Sequence, residues 1–307
     1  MRHPFPDTAQ GKHRPTQGAH TQWADLLALH QRVRSMRLHQ PVQTVAAGTR
    51  LTLLKGRGID FAEVRAYQPG DDTRSIDWRV TARTGKAHTK VFQEEKQRAA
   101  FICVDQGSSM YFGSQHCLKS VYAAHLAAAL AWMLHQHGDY VGGLVFADQE
   151  QRHIPCRSGR RNILRLLEGI HQLNQHIRPD ASMTEPSHTM LEQLSQQVTH
   201  NMLVYIISDF VDFDVQTLVY LRYLAKKNRL TLFCVYDPLE ADIPVHNMLC
   251  FRKGTARNQL YINPRTRDRY RQYWSQRCQH IQQQARHVGI SVHYVQQKDD
   301  VLSHLHL

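Results

Sequence analysis

Two short stretches place carboxylates and hydroxyls directly after apolar runs. "CVDQGSSM" carries Asp105, Ser108 and Ser109, and "IISDF" carries Ser208 and Asp209. Hard oxygen donors of this kind are what Mg2+, Mn2+ or Ca2+ accept. Asp and Ser after a strand also have a structural use, because they cap the following helix by accepting its free backbone N–H groups. A serine nucleophile finds no support here: no G-x-S-x-G elbow is present, and none of the 21 histidines follows in a convincing motif.

A third stretch, "YQPGDDTRSIDWRVTART" at 67–84, holds three aspartates, three arginines and a tryptophan. One reading is a framework in which Asp71, Asp72 and Asp77 pair with Arg74, Arg79 and Arg83 around Trp78, with a partner-docking face. Bidentate Arg–carboxylate pairs are directional and suit such a role. The rival reading is a metal-dependent phosphodiesterase or nuclease, with Asp71 or Asp72 joining Glu94, Glu95 and Lys96. Arginines beside the carboxylates neutralise them, and this favours the framework.

The segment 266–288 carries Arg267, Arg269, Arg271, Arg277 and Arg286 with Tyr270, Tyr273 and Trp274. Its pattern predicts an amphipathic helix whose aromatics pack on a sheet while the arginines are solvated. An acidic protein surface is the next use for such a face. A salt-dependent nucleic-acid grip comes last, since no helix-turn-helix, zinc-finger or RNA-recognition signature accompanies it.

These residues need elements to hold them. After residue 98, apolar runs such as "RAAFICVD", "YVGGLVFAD", "NMLVYIISDF", "RLTLFCVYD" and "ISVHYVQ" alternate with helical patterns. That rhythm predicts an α/β fold: a doubly wound, mostly parallel sheet with helices on both faces. Ligands on such sheets sit outside the carboxyl ends of the strands, where Asp105 and Asp209 fall. Ahead of it, "QWADLLALHQRVRSM" has helical spacing. Ile76, Trp78, Val80 and Ala82 alternate with polar residues and predict a half-buried strand. The expected organisation is a disordered leader at 1–21, a helix and small β-rich subdomain at 22–97, and the α/β domain at 98–307.

Charge is unevenly spread along the 307 residues. Residues 1–98 hold 17 Lys and Arg against nine Asp and Glu, 99–250 hold 11 against 14, and 251–290 hold nine against one. Basic flanks around a mildly acidic middle point to acidic partners. The six cysteines are scattered with no C-x-x-C pair, which argues against a disulfide framework or a zinc site. "HLAAALAWML" is about half the roughly 20 residues that a membrane helix requires, and residues 1–20 have no apolar h-region. The expected location is cytoplasmic.

The strings "GRGIDFAEVRAYQPGDDTRSIDWRVTARTGKAHTKVFQEE", "VDQGSSMYFGS", "GDYVGGLVF", "IISDF" and "VYDPLEADIP" occur in that order. Together they resemble the bacterial family called domain of unknown function fifty-eight, over about residues 22–300. The resemblance implies a von Willebrand A-like core, no enzymatic activity, and an adaptor role beside a MoxR-type AAA+ ATPase in a chaperone-like assembly. It also implies a degenerate metal-ion-dependent adhesion site. Asp105, Ser109 and Asp209 would hold Mg2+, Mn2+ or Ca2+, Thr184 or Thr189 would complete the set, and Gly107 stands where the pattern has serine.

Overall fold

Strands that are apolar at every position must be covered on both faces, and the main sheet is built that way. The computed structural model describes residues 18–36, 59–68, 73–94, 98–148, 150–177, 187–246, 248–253 and 256–305. The chain divides into two units, Met1–Arg37 with Arg98–Leu307, and Leu38–Gln97.

The larger unit begins with helix α1 (Trp23–Ser35), and the smaller unit contributes β1 (Ile59–Ala66), α2 (Trp78–Thr84) and β2 (His88–Glu94). The larger unit resumes with β3 (Ala99–Asp105), α3 (Lys119–Gln136), β4 (Tyr140–Phe146), β5 (Gln151–Arg157), α4 (Arg160–His176) and α5 (Ser187–Gln197). It continues through β6 (Leu203–Ser208), α6 (Val215–Ala225), β7 (Arg229–Tyr236), α7 (Pro238–Ala241), the β8 (Met248–Lys253) and β9 (Ala256–Tyr261) hairpin, α8 (Pro264–His287) and β10 (Ser291–Gln296).

The sheet order is β10-β7-β6-β3-β4-β5. All neighbours run parallel except β5, which pairs antiparallel with β4 at the edge. Alternate residues of β3 enter opposite cores. Ala100, Ile102 and Val104 join α1, α3 and α4, whereas Phe101 and Cys103 join residues of α5, α6 and α8. Helix α3 is buried from Lys119 to Leu134, as expected of a helix apolar on every side. It lies between the sheet and α1, and the Trp132 indole N–H donates to the Leu26 carbonyl at 3.1 Å. Each fully buried Leu or Phe in these clusters contributes about 1.5–3 kcal/mol of transfer free energy.

Two expectations change here. The helix at 23–35 belongs with the α/β unit, packed through Leu26, Leu29 and Val33, and not with the β-rich segment. The last residues of the expected disordered leader are also ordered. Gly18 bridges to Cys117, and the Thr21 N–H donates to Asn174 Oδ1 at 2.7 Å. Residues 1–17 lie outside the described residues.

In the smaller unit β1 and β2 form an antiparallel hairpin, but the alternation at 76–82 does not form a strand. Residues 73–75 form a 3-10 turn and 78–84 form α2. Local end chemistry overrides the period-2 pattern. Asp77 Oδ1 accepts the N–H groups of Arg79 and Val80 at 3.0 and 3.2 Å. Gly85 ends the helix at φ 68°, a left-handed position that glycine adopts without strain. Ile76 retains one bridge to Thr89. Trp78 is 70% exposed, Arg83 is exposed, and Arg74 lies in the 3-10 turn. Asp71 and Asp72 lie outside the described residues, as do Glu95, Lys96 and the Glu94 side chain.

If Asp77 acts as a cap, Asp77→Asn should change the stability of this unit by no more than a few tenths of a kcal/mol, whereas Asp77→Ala should cost about 1 kcal/mol. Amide exchange of Arg79–Thr84 reads the difference. Equal losses in the two variants would instead indicate that ion pairing governs the residue.

Candidate functional site at the carboxyl edge of the sheet

Strands β3 and β6 are parallel neighbours, so their carboxyl ends deliver Asp105, Ser208 and Asp209 to the same edge. Ser208 donates its hydroxyl to Asp105 Oδ2 at 2.6 Å, and the Gly107 N–H donates to Asp105 Oδ1 at 2.8 Å. The Val211 N–H donates to Asp209 Oδ1 at 3.1 Å, and the Ser109 hydroxyl also bonds this carboxylate. Both aspartates are buried, at 8% and 6% exposure. Asp105, Ser109 and Asp209 therefore do come together.

A residue outside the expected site dominates the cluster. Lys119, the first residue of α3, places its Nζ 2.8 Å from Asp209 Oδ2 and 2.8 Å from Glu240 Oε1. Glu240 belongs to α7, where its second oxygen accepts the Asp237 N–H at 2.8 Å in a capping box. Asp237 in turn accepts the Ser114 N–H and hydroxyl at 2.7 and 2.6 Å. The loops after β3, β6 and β7 are thus joined by one polar chain. Asp148, after β4, adds a further carboxylate and accepts the Ser108 N–H at 2.8 Å.

The signal for Lys119 was present in the sequence. It is the one Asp, Glu, Lys or Arg in the 18 residues of α3. A lone charge in an apolar helix calls for a buried partner.

The electrostatics follow from burial and from this pairing. Burial pushes the Asp105 carboxyl up to about 7, with the Asp209 charge adding to the rise and the Ser208 and Gly107 hydrogen bonds opposing it. Burial would also raise Asp209, but the Lys119 ammonium, the Val211 N–H and the Ser109 hydroxyl together hold it below the ordinary carboxylate range. Burial works against the Lys119 ammonium, and Asp209 and Glu240 overcome it and hold that group above its usual value.

A divalent ion does not fit this donor set as it stands. An ammonium already sits on Asp209. The remaining oxygens of Asp105 and Asp209 accept protein hydrogen bonds, and Gly107 supplies no hydroxyl. Among the described residues no group of three His, Cys, Asp or Glu has metal-holding geometry. Thr189 lies in the first turn of α5 and makes no described hydrogen bond to Asp105 or Asp209, and Thr184 lies outside the described residues.

Three arginines of α8 are not the solvated charges that the pattern suggested. Arg267 and Arg271 converge on Asp242, at 2.6 and 2.9 Å. Arg277 donates to the carbonyls of Phe210 and Asp209 at 2.6 and 3.1 Å and stacks on Trp274. Phe210 is a non-glycine residue at φ 48° and fully buried, a conformation that costs roughly 1 kcal/mol or more. Arg277 thus clamps the strained bend that directs Asp209 toward Lys119. Arg269 and Arg286 remain exposed.

The sequence pattern of the family described as "Protein of unknown function DUF58" matches residues 63–284. The protein named "Uncharacterized protein Rv1480" from Mycobacterium tuberculosis is 28% identical over 221 residues, 71% of this chain and 68% of that one. Among solved structures, the conserved hypothetical protein BatB from Bacteroides thetaiotaomicron is similar at TM-score 0.40 and 16% identity, covering 67% of this chain and 93% of its own. An aerotolerance-related membrane protein from Bacteroides fragilis is similar at TM-score 0.41 and 16% identity, covering 67% and 94%.

The raised Asp105 pKa sets a direction with pH. A carboxyl that holds its proton more tightly in the fold than in the unfolded chain favours folding at low pH, and that contribution is lost as pH rises through about 7. Asp105→Asn, which mimics the protonated form, should therefore stabilise the protein most at pH 8, by a few kcal/mol, and by less than half as much at pH 5, where the unfolded carboxyl is largely ionised and the folded one is not. Urea unfolding in EDTA at the two pH values tests this; a loss at pH 8 would contradict it. Separately, Arg277→Gln should cost about 1.5–3 kcal/mol, the range for hydrogen bonds from a charged donor. The same denaturation assay measures that cost.

Proposed function

The chain belongs to the family of proteins of unknown function DUF58, and from that premise we propose that it is a non-catalytic protein-interaction adaptor. Its partner in this reading is a MoxR-type AAA+ ATPase, in a chaperone-like assembly in the cytoplasm, and its core is von Willebrand A-like. The ATPase and the core type come from the resemblance of "GDDTRSIDW" and the accompanying strings to the family. One structural observation supports the non-catalytic part. Asp105, Asp209, Asp237 and Glu240 are each engaged by interior partners, and Ser208, which bonds Asp105, is itself fully buried, so the edge presents a fixed shape built of paired groups.

The basic exposed residues Arg265, Arg269 and Arg286 of α8 offer a face for an acidic protein surface. Among the described residues no helix is long and apolar enough to cross a membrane.

The test is binding of the purified protein to a MoxR-type ATPase with ATP present, read by biolayer interferometry and by ATP turnover. The expected result is a complex of micromolar or better affinity that moderate salt does not abolish. Absence of any complex or change in turnover would remove the adaptor reading. Binding to random duplex DNA with a steep inverse salt dependence would favour a nucleic-acid role in its place.

A further inference from the structure

We propose that the Lys119 ammonium is the resident cation of the sheet-edge site, standing where a divalent ion would otherwise sit, so that the site keeps its shape without metal. The proposal is independent of which partner docks at this edge.

The position is a poor one for a lysine in every respect except its two carboxylates. Lys119 is 1% exposed, although a long ammonium side chain ordinarily reaches water. It is the first residue of α3, where the helix dipole repels a cation. Burial and dipole both oppose the charge, so the charge is there for Asp209 and Glu240. Those two carboxylates come from separate elements, the loop after β6 and helix α7, and meet at one nitrogen at 2.8 Å each. A bridging ion gathers ligands from different loops in the same manner.

The rest of the site has adjusted to a cation of this kind. A serine side chain at 107 would start from a Cβ 3.0 Å from Asp148 Oδ1 and 3.1 Å from Asp105 Oδ1. Glycine avoids that crowding and removes one oxygen ligand. The Ser109 hydroxyl bonds Asp209 directly. Of the three N–H groups of the ammonium, Asp209 and Glu240 accept two, whereas Ca2+ takes six to eight oxygens. A partner docking here therefore meets the protein's own groups and has no open metal position to fill with a carboxylate.

The experiment uses the whole chain and reads ion binding by titration calorimetry and thermal unfolding with Mg2+, Mn2+ or Ca2+ against EDTA. The wild type is expected to show no heat and no shift in Tm at millimolar ion. Lys119→Ala leaves Asp209 and Glu240 facing an empty space. It is expected to unfold at a lower temperature in EDTA, to recover with divalent ion, and to bind Mn2+ at least ~10-fold more tightly than the wild type. Lys119→Met fills the space without charge and is expected to lose stability with no recovery by ions.

Recovery of folded Lys119→Ala only in the presence of divalent ion supports the proposal. It is overturned if the wild type binds a divalent ion in an Asp105-dependent way. It is also overturned if Lys119→Ala is as stable as the wild type in EDTA, or if that variant folds and ignores every ion.

Discussion

A charge removed from water must be matched at close range or it unfolds its surroundings. Lys119 is the point where this protein meets that constraint. The effective penalty for burying an ammonium is several kcal/mol, and two carboxylates at 2.8 Å answer it. Those carboxylates carry obligations of their own. Asp209 is aimed by the bend at Phe210, which Arg277 holds from α8, and Glu240 is fixed by the capping box of α7. Asp237 extends the chain to Ser114, in the loop that leads into α3. Elements far apart in sequence therefore share one electrostatic requirement, and the loops at the carboxyl edge are set as a group.

The same requirement divides two neighbouring carboxylates. Asp209 has the ammonium and stays ionised. Asp105, on the adjacent strand, has only a hydroxyl and an N–H, so burial and its neighbour's charge push it toward neutrality. The two titrate as a pair, each setting the other's preference. An edge that looks strongly acidic in sequence is much less so in the folded protein.

Much of this was legible in the chain. Continuous apolar runs identified β3, β4, β6, β7 and β10, because strands covered on both faces have no polar side to show, and alternation with helices implied the parallel sheet. The pairing of Asp105 with Asp209 followed from their places after β3 and β6. Other features were hidden for definite reasons. Strand β5, "QRHIPCR", is mostly exposed, so it lacks the apolar signature, and the described side chains of the β8–β9 hairpin are also largely exposed. Helix α2 was misread because seven residues hold too few turns for periodicity to outweigh a cap at Asp77 and a glycine at 85. Glu240 lay in a string quoted for its resemblance, but its contact with Lys119 spans 121 residues and no local pattern encodes that. Arg267, Arg271 and Arg277 had the spacing of a solvated face; what they bind lies on other elements.

Strand β5 has a further bearing on how this molecule meets others. It ends the sheet, and a bare sheet edge invites a strand from another chain. Pro155 sits in the middle of β5 and has no N–H to give, and its carbonyl is already taken by the Asn162 side chain at 2.9 Å. Arg152 and Arg157 flank it with positive charge. Strand addition is thus disfavoured at that border. The opposite border of the sheet is β10, so an association that used this sheet's backbone would be directed there and away from β5.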